Sequence, residues 1–316
     1  HSRIRTLRSQ LEERADEIHQ RRRDDARRAF ERVTKQADSL LETLADPVAS
    51  AQQSGEPLAE NFRTSDDECE SRRDELATLR NDHAGYLTDD EEAQIKSLRS
   101  ELNEYAAYIA EKRRYDDVMA EVQPAYDALE AIAGSYLEYD EYLTEAATGT
   151  LRERVSAAQD AIEPLADLDM DILGEGDAER AASITSLIDS ASEIAADPEA
   201  YNKEFVEWKQ SEYADLFTDI DAEGHDLSTD QQAAIIRDGT YNQVIAAAGT
   251  GKTLALTYRV AYLIEEGVLP DEILLLTYTK EAKKEMETRL ADEFGIENVE
   301  VRTIHSFAFK IATQAT

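Results

Sequence analysis

Apolar residues recur every three or four positions through most of the first 130 residues, which is the spacing of amphipathic helices. The first such stripe runs from Ile4 to Leu44 and predicts one long helix with a coiled-coil-like seam. Asp46-Pro47 and then Gly55-Glu56-Pro57 are expected to interrupt it, because proline cannot donate the backbone hydrogen bond that a helix requires and Gly-Pro clusters favour turns.

Two further long helices are predicted before residue 135. The second covers about Asn61 to Asp82 and ends near Gly85. The third opens at Thr88-Asp89-Asp90-Glu91, which has the spacing of a capping box, and continues to Gly134. Pro124 lies inside it and should kink or divide it. Long helices joined by short turns predict an antiparallel hairpin or bundle.

Shorter helices are predicted from Gly149 onward, interrupted by Pro164 and by an acidic loop. Asp197-Pro198 then opens a helix rich in aromatic residues, which is expected to dock the helical region onto the segment that follows. The carboxylates of the acidic loop are potential metal ligands, but the glycine and glutamate of a calcium loop are not at the required spacing. They are Asp167, Asp169 and Asp171.

After residue 226 the pattern changes to short apolar runs that alternate with helical segments. Val244-Ile245, Ile273–Leu276 and Val299–Val301 are predicted strands. The helices between them are predicted from Lys252 to Glu266 and from Lys280 to Asp292, each followed by a glycine. This order predicts a mostly parallel sheet with right-handed crossovers and ligands at the carboxyl ends of its strands.

The segment between the first of these strands and its helix has the composition of a phosphate-binding loop. Small residues let backbone N–H groups close around a polyphosphate, Lys252 supplies a positive charge, and the Thr253 hydroxyl can bind Mg²⁺. The strict pattern has glycine where this chain has Ala246. The segment consists of Ala246, Ala247, Ala248, Gly249, Thr250, Gly251, Lys252 and Thr253. It predicts that the chain binds a nucleoside triphosphate.

The composition limits the setting in which the protein works. Asp and Glu number 69 against 34 Lys and Arg, giving a net charge of −35, and this surface would repel itself unless salt screened it. We interpret the excess as adaptation to a salty cytoplasm, as in halophiles; an acidic interaction surface is the alternative. The single cysteine excludes a disulfide framework. No apolar run is long enough to span a bilayer, so a cytoplasmic protein without membrane contact is expected.

The acidic excess is not uniform along the chain. Residues 1–32 carry ten Arg against seven Asp and Glu, a net charge of +3. Two interpretations fit such a run: a solvated helix face with ion pairs one turn apart, or a basic stripe that binds nucleic acid.

Four segments after residue 226 together resemble one family. They are Leu227-Ser228-Thr229-Asp230-Gln231, the phosphate loop, Thr277–Met286 and Arg302–Ala308. In this order and spacing they are similar to the Q motif and motifs I, Ia and Ib of superfamily 1 DNA helicases of the UvrD/Rep type, with the helicase IV branch nearest. The resemblance implies a partial RecA-like α/β P-loop NTPase domain at residues 223–316. Residues 1–148 are then a helical hairpin or coiled-coil region, and residues 149–222 link the two.

The resemblance also implies roles for individual residues, with ATP and Mg²⁺ as cofactors and single-stranded or duplex DNA as the partner. Gln231 would read the adenine edge, Lys252 would contact the β- and γ-phosphates, and Thr253 would hold Mg²⁺. The residues that would line the path of single-stranded DNA are Thr277, Tyr278, Thr303 and His305. The alternatives are core packing for Tyr278 and a structural loop histidine for His305.

The family pattern implies an ATP-dependent helicase, 3′→5′ in direction and active in DNA repair. The chain departs from it at Leu254, where relatives often carry Arg, and at Thr316, which precedes any Walker-B Asp-Glu pair. We therefore expect an amino-terminal helicase portion that binds ATP but hydrolyses it poorly alone. Two alternatives concern the helical region: residues 1–215 dock on a protein machine such as RNA polymerase, or they form coiled-coil arms of a structural ATPase.

Overall fold

The computed structural model describes residues 2–218, 227–239, 241–247 and 249–314. These segments contain eleven α-helices and two strands, and the contacts divide the chain into two compact units. Unit 1 comprises residues 1–131 and 154–190, and unit 2 comprises residues 132–153 and 191–316. The three-part division into residues 1–148, 149–222 and 223–316 stays a prediction.

The helices of the described segments are long in the first half of the chain and short in the second. None of them combines the length and the apolarity that a membrane crossing requires. Their bounds are α1 Ser2–Ser54, α2 Ser65–Asp82, α3 Asp89–Leu137, α4 Glu145–Ile162, α5 Glu175–Ala196, α6 Pro198–Glu212, α7 Ala214–Thr218, α8 Thr229–Ile236, α9 Lys252–Glu265, α10 Lys280–Phe294 and α11 Ile304–Gln314. Short 3₁₀ turns lie at Glu163–Asp167 and Pro270–Glu272.

Unit 1 has a core formed by one face each of α1, α2 and α3. The buried apolar residues recur at helical spacing, as the sequence predicts, and the seam on α1 continues from Phe30 to Ala51. Leu76 of α2 and Leu102 of α3 are fully buried opposite it. The predicted helical hairpin or bundle is therefore present as three packed helices.

The predicted end of the first helix near Pro47 is wrong. Helix α1 continues through Pro47 and ends at Ser54, where Gly55 takes a positive φ of 67°. A proline inside a helix costs about 3 kcal/mol. Val48 and Ala51, which follow the proline, are buried in the core, and their burial offsets that cost. Tertiary packing thus overrides the helix-breaking tendency of Pro47.

The start of α3 follows the predicted capping box. The backbone N–H of Thr88 donates to Glu91 Oε2 at 2.8 Å, and the N–H of Glu91 donates to Thr88 Oγ1 at 3.2 Å. Pro124 does not divide the helix, which ends three residues beyond the predicted Gly134. The second helix starts at Ser65, four residues later than predicted.

A buried ionic cluster connects α3 to the start of α5 within unit 1. Lys112 Nζ lies 2.9 Å from Asp116 Oδ1 and 2.6 Å from Asp177 Oδ1, and all three side chains are almost completely buried. The ammonium group also donates to the backbone oxygen of Gly55 at 3.2 Å. Burial is the main cause that raises the pKa of Asp177, and the facing Lys112 ammonium opposes it. The lysine therefore compensates two buried carboxylates.

Unit 2 contains the predicted aromatic helix, α6. Asp197 caps it by accepting from the Ala200 N–H at 3.0 Å, and Pro198 occupies its first turn as predicted. Tyr201 stacks on Tyr139 at 5.5 Å between ring centroids. Beyond the end of α6, Tyr213 meets Tyr262 of α9 edge-on at 5.1 Å. These contacts pack the end of α6 against α9 within unit 2, and the docking of the long helical region stays a prediction.

The sheet in the described residues has two parallel strands, β1 (Leu274–Thr277) and β2 (Glu300–Thr303), in the register Leu275 opposite Val301 and Thr277 opposite Thr303. Helix α10 connects them and packs Met286 and Leu290 onto the sheet. Gly295 ends α10 in the left-handed conformation, as predicted. The predicted β-α-β order is therefore present for these two strands.

The predicted strand at Val244-Ile245 is wrong. These residues have no regular secondary structure, and their side chains are 59% and 89% exposed. A strand needs a partner for its backbone N–H and C=O groups, and none of the described residues pairs with this segment. The observed fold is a partial α/β domain after a helical region, without a strand leading into the phosphate loop.

Candidate nucleotide and strand-end sites

The phosphate loop ends at the first residue of α9. Gly251 is the residue before that helix, with φ of 74° and no side-chain cap, and Gly249 has φ of 79°. Positive φ is costly for residues with a Cβ, which explains glycine at both positions. The first N–H groups of α9 therefore lack an intrahelical or side-chain acceptor, which is the geometry that attracts anions. Ala248 lies outside the described residues.

Lys252 folds back over the loop that precedes it. Its Nζ donates to the backbone oxygens of Ala246 at 2.9 Å and Ala247 at 2.5 Å. Thr250 Oγ1 donates to the Ala247 oxygen at 2.8 Å. Thr253 is half-buried next to Lys252 in the first turn of α9. The ammonium group thus lies at the loop, held by neutral carbonyls that an anion can replace.

Gln231 joins α8 to the phosphate loop. Its Oε1 accepts from the Ser228 N–H at 2.7 Å, and the Gln231 N–H donates to Ser228 Oγ at 3.3 Å, which completes a capping box at the start of α8. Its Nε2 donates to the Thr250 oxygen at 3.1 Å. A side-chain amide has two lone pairs and two N–H donors, so one of each remains for a ligand.

A pocket of about 650 Å³ lies between α8, the loop and α9. Gln231 and Lys252 are both in its wall, together with apolar atoms of Ala234, Ile245 and Leu256. An apolar wall with a few convergent polar groups is typical of small-molecule sites. The size is within the usual range for such ligands.

The donor set of this pocket fits a nucleoside triphosphate with Mg²⁺. The open first turn of α9 and the Lys252 ammonium provide positive potential for phosphates, and Gln231 offers a donor and an acceptor for a base. The Thr253 hydroxyl, next in sequence to Lys252, is the group that would hold Mg²⁺.

Gly251→Ala should disturb this site more than Gly249→Ala. Both residues have positive φ, so either Ala should cost about 1–2 kcal/mol in backbone strain. A Cβ at Gly251 would also lie 2.8 Å from Gln231 Nε2, whereas a Cβ at Gly249 meets nothing within 4 Å. Calorimetric titration of Mg·ATP should therefore show the larger affinity loss for Gly251→Ala. Equal losses would show that the Gln231 contact is irrelevant to binding.

The predicted DNA-contacting residues lie at the carboxyl ends of the two strands. Thr277 is buried, and its Oγ1 donates to the Thr279 oxygen at 3.1 Å. Tyr278 directly follows β1 and is 81% exposed, which argues against core packing. On β2, Thr303 Oγ1 accepts from the Ser306 N–H at 3.2 Å, and His305 is exposed in the first turn of α11.

These four residues form one group because β1 and β2 are parallel. Thr277 pairs with Thr303 in the strand register, so the chain emerges from both strands at the same edge. Tyr278 and His305 present the exposed rings of this edge, while the two threonines have structural hydrogen bonds. No hydrogen bond among the described residues joins this group to the phosphate loop.

Arg259 is a residue of the pocket that the sequence interpretation missed. It lies on α9 and donates to the backbone oxygens of Ile235 and Ile236, the last residues of α8, and its Nη2 lies 3.0 Å from Asp238 Oδ1. A cation at a helix carboxyl end is favourable. Arg259 thereby fixes the position of α8 and, with it, the position of Gln231. Because Arg259 and Ile235 are far apart in the sequence, no local pattern predicts their contact.

The other candidate sites of the sequence do not form clusters of ligands. Among the described residues there is no group of three or more His, Cys, Asp or Glu that could hold a metal ion. In the acidic loop, Asp169 Oδ1 accepts from the Asp171 N–H at 3.1 Å and so serves the local turn. Arg27 and Arg28 form exposed ion pairs one turn apart, as the solvated-face interpretation predicts.

Comparison with known proteins agrees with this arrangement. Residues 227–316 match the family described as the UvrD/REP helicase N-terminal domain. The chain is 32% identical to DNA helicase IV of Escherichia coli over 117 residues, which are 37% of this chain and 17% of that protein. It is 41% identical over 91 residues to a putative ATP-dependent DNA helicase, YjcD, of Bacillus subtilis, covering 27% and 12% of the two chains.

A third relative, DNA helicase II of Rickettsia typhi, is 39% identical over 88 residues, covering 28% of this chain and 13% of that protein. The chain thus spans less than a fifth of the length of these relatives. No solved structure matches the chain significantly. The resemblance to UvrD/Rep-type DNA helicases is therefore confirmed, and the family match covers residues 227–316.

Proposed function

We propose that this chain is the amino-terminal portion of an ATP-dependent DNA helicase or translocase, which binds Mg·ATP at the phosphate loop and single-stranded DNA at the strand ends. The observation that carries the proposal is the hydrogen bond from Gln231 Nε2 to the Thr250 oxygen. This bond holds a group able to read a base beside a group able to bind phosphate, in one pocket of about 650 Å³.

The proposed binding event exchanges hydrogen-bond partners at Lys252. Its ammonium group leaves the neutral oxygens of Ala246 and Ala247 for the charged β- and γ-phosphates, and the exchange adds the Coulomb attraction between opposite charges. The open first turn of α9 adds backbone donors. The Thr253 hydroxyl would bind the Mg²⁺ that bridges the phosphates.

Base recognition in this proposal uses the unused half of the Gln231 amide. The second Oε1 lone pair can accept from adenine N6, and the second Nε2 hydrogen can donate to N7. Because the same amide donates to Thr250, a bound base would also stabilise the loop conformation. The chain would thus favour adenine nucleotides over guanine nucleotides, whose O6 offers an acceptor instead of a donor.

Motion along DNA is the proposed consequence of ATP binding in the complete protein. ATP bound between two RecA-like domains would close the cleft between them, and hydrolysis would reopen it, which moves single-stranded DNA across the strand ends. The direction that the family resemblance supports is 3′→5′, with DNA repair as the setting. The excess of carboxylates supports a protein that works at high salt, so assays belong at molar salt concentration.

Tyr278→Ala should weaken binding of single-stranded DNA by the chain by about 5- to 100-fold, because one base–aromatic stack contributes about 1–3 kcal/mol. The ring is 81% exposed, so its removal should leave the fold intact. Fluorescence anisotropy with a labelled oligonucleotide measures the change.

Tyr278→Phe is the control for this experiment, since it keeps the ring and loses only the hydroxyl. It should bind DNA within about twofold of the wild type. If Tyr278→Ala also binds DNA like the wild type, the strand-end edge is not part of the DNA path.

A further inference from the structure

The first helix extends beyond the three-helix core as an exposed arm. All residues from 3 to 25 are exposed, and we call this segment the amino-terminal arm. Four large apolar side chains on it are 55% to 69% exposed. At 3.6 residues per turn they fall within a stripe about 60° wide, so they share one face. They are Ile4, Leu7, Leu11 and Ile18.

Arginine residues border this apolar stripe on both sides. At the same helical period, Arg3, Arg14 and Arg21 lie along one edge, and Arg8 and Arg22 lie along the other. The opposite face carries five of the six acids of the arm, Glu12, Glu13, Asp16, Glu17 and Asp24, whereas the sixth, Asp25, falls within the apolar stripe and pairs with Arg28 at 2.6 Å. Among the described residues, Arg8 and Arg14 are in no ion pair. Arg22 Nη1 donates to the Tyr86 hydroxyl at 3.2 Å. The arm therefore presents an apolar seam between two basic rows.

We propose that the amino-terminal arm docks an acidic amphipathic helix of a partner protein. Apolar residues of that helix would cover Leu7 and Leu11, and its flanking carboxylates would face the two arginine rows, as charged residues flank the seam of a coiled coil. The arm carries seven Arg against six Asp and Glu, a net charge of +1 in a chain of net charge −35, and five of those arginines border the apolar seam, so the seam attracts an acidic partner.

A second copy of this chain fits the arm less well. In a pair of identical helices, each edge of the seam on one helix faces an edge of the seam on the other. Both edges here carry arginine, so either orientation brings Arg14 or Arg8 against arginine of the other copy. Like charges across a seam destabilise the pair.

Duplex DNA also fits the arm less well. Phosphates would face the arginine rows, but the sugar-phosphate backbone offers no apolar surface to cover Leu7, Leu11 and Ile18, which would remain exposed to water. The acids on the opposite face would add repulsion that only salt screens.

The experiment titrates the 316-residue chain into three labelled probes at about 1 M salt, as in the other assays, where the Debye length is about 3 Å and charges in direct contact still attract each other. The first probe is a three-heptad peptide with Leu and Ile in its seam and Glu at the flanking positions. The second has the same seam with Lys at those positions, and the third is a short duplex DNA. We expect saturable anisotropy changes with the acidic peptide and binding at least about tenfold weaker with the other two.

Two double variants with equal charge change give the matched control. Arg8→Glu with Arg14→Glu reverses one charge on each edge of the seam, and Arg5→Glu with Arg23→Glu reverses two charges on the opposite face. The first pair should weaken binding of the acidic peptide at least about tenfold, and the second pair by less than about threefold. Glu is a good helix former and all four sites are exposed, so circular dichroism should be unchanged.

A further variant, Leu7→Ser with Leu11→Ser, tests the apolar seam and should also weaken the acidic peptide about tenfold. Three results would overturn the proposal: no binding of the acidic peptide, tighter binding of duplex DNA than of that peptide, or equal losses in the two charge-reversed variants. Dimerisation of the chain that Leu7→Ser with Leu11→Ser abolishes would identify a second copy as the occupant and would also overturn it.

Discussion

Lys252→Ala should weaken binding of Mg·ATP to the 316-residue chain by about 10- to 100-fold. Hydrogen bonds to charged groups contribute about 1.5–3 kcal/mol, and each 1.4 kcal/mol is a factor of ten in affinity. The substitution weakens the ATP-bound state rather than the free chain, because in the free chain Lys252 Nζ donates hydrogen bonds only to the neutral backbone oxygens of Ala246 and Ala247. Its removal should therefore cost little stability. Isothermal titration calorimetry measures the affinity directly.

The matched control is Lys35→Ala, which removes an exposed lysine from α1 in unit 1. This variant should bind Mg·ATP like the wild type, because screening at molar salt abolishes its long-range effect. Wild-type affinity in Lys252→Ala would show that the nucleotide, if bound, does not occupy the phosphate loop.

Lys112→Met should destabilise unit 1 by about 3–5 kcal/mol, because removing one partner of a buried ion pair leaves uncompensated charge. Here two carboxylates, Asp116 and Asp177, lose the ammonium group that lies within 3 Å of each. Cys69, the only cysteine, is fully buried in the core of the same unit. When a thiol reagent can reach Cys69 only after unit 1 unfolds, the labelling rate in Lys112→Met should rise by roughly two to three orders of magnitude.

Lys96→Met is the control for this variant, since Lys96 is exposed on the same helix, and its labelling rate should match the wild type. Adding Asp116→Asn and Asp177→Asn to Lys112→Met should recover part of the loss, because the charges that needed compensation are then gone. Wild-type labelling of Lys112→Met would contradict the view that this cluster holds α5 on α3.

Structural features that depend on residues within about one helical turn of each other are predicted well from the sequence. The capping box at Thr88, the proline at the start of α6 and the left-handed Gly295 all have the predicted roles. The cap formed by Ser228 and Gln231 carries the same kind of signal, Ser-Thr-Asp-Gln, and could have been predicted as the start of α8. Gln231 would then have been expected to have a structural role beside its predicted role in adenine binding.

Features that depend on packing between distant segments could not be predicted in this way. Pro47 is tolerated because later residues of α1 are buried, and Val244 is not in a strand because no described segment pairs with it. Arg259 caps a helix 23 residues earlier, and Lys112 meets Asp177 across 65 positions. Contacts between residues so far apart produce no periodic pattern in the sequence, so the sequence alone does not predict them.

The most direct test of the account is steady-state ATP hydrolysis by the full-length protein at molar salt, with and without single-stranded DNA. We expect that single-stranded DNA stimulates hydrolysis by the wild type, that Lys252→Ala abolishes hydrolysis, and that the same DNA concentration does not stimulate hydrolysis by Tyr278→Ala. Hydrolysis that is indifferent to DNA, or that persists in Lys252→Ala, would contradict the assignment of the phosphate loop and the strand ends to one DNA-dependent ATPase.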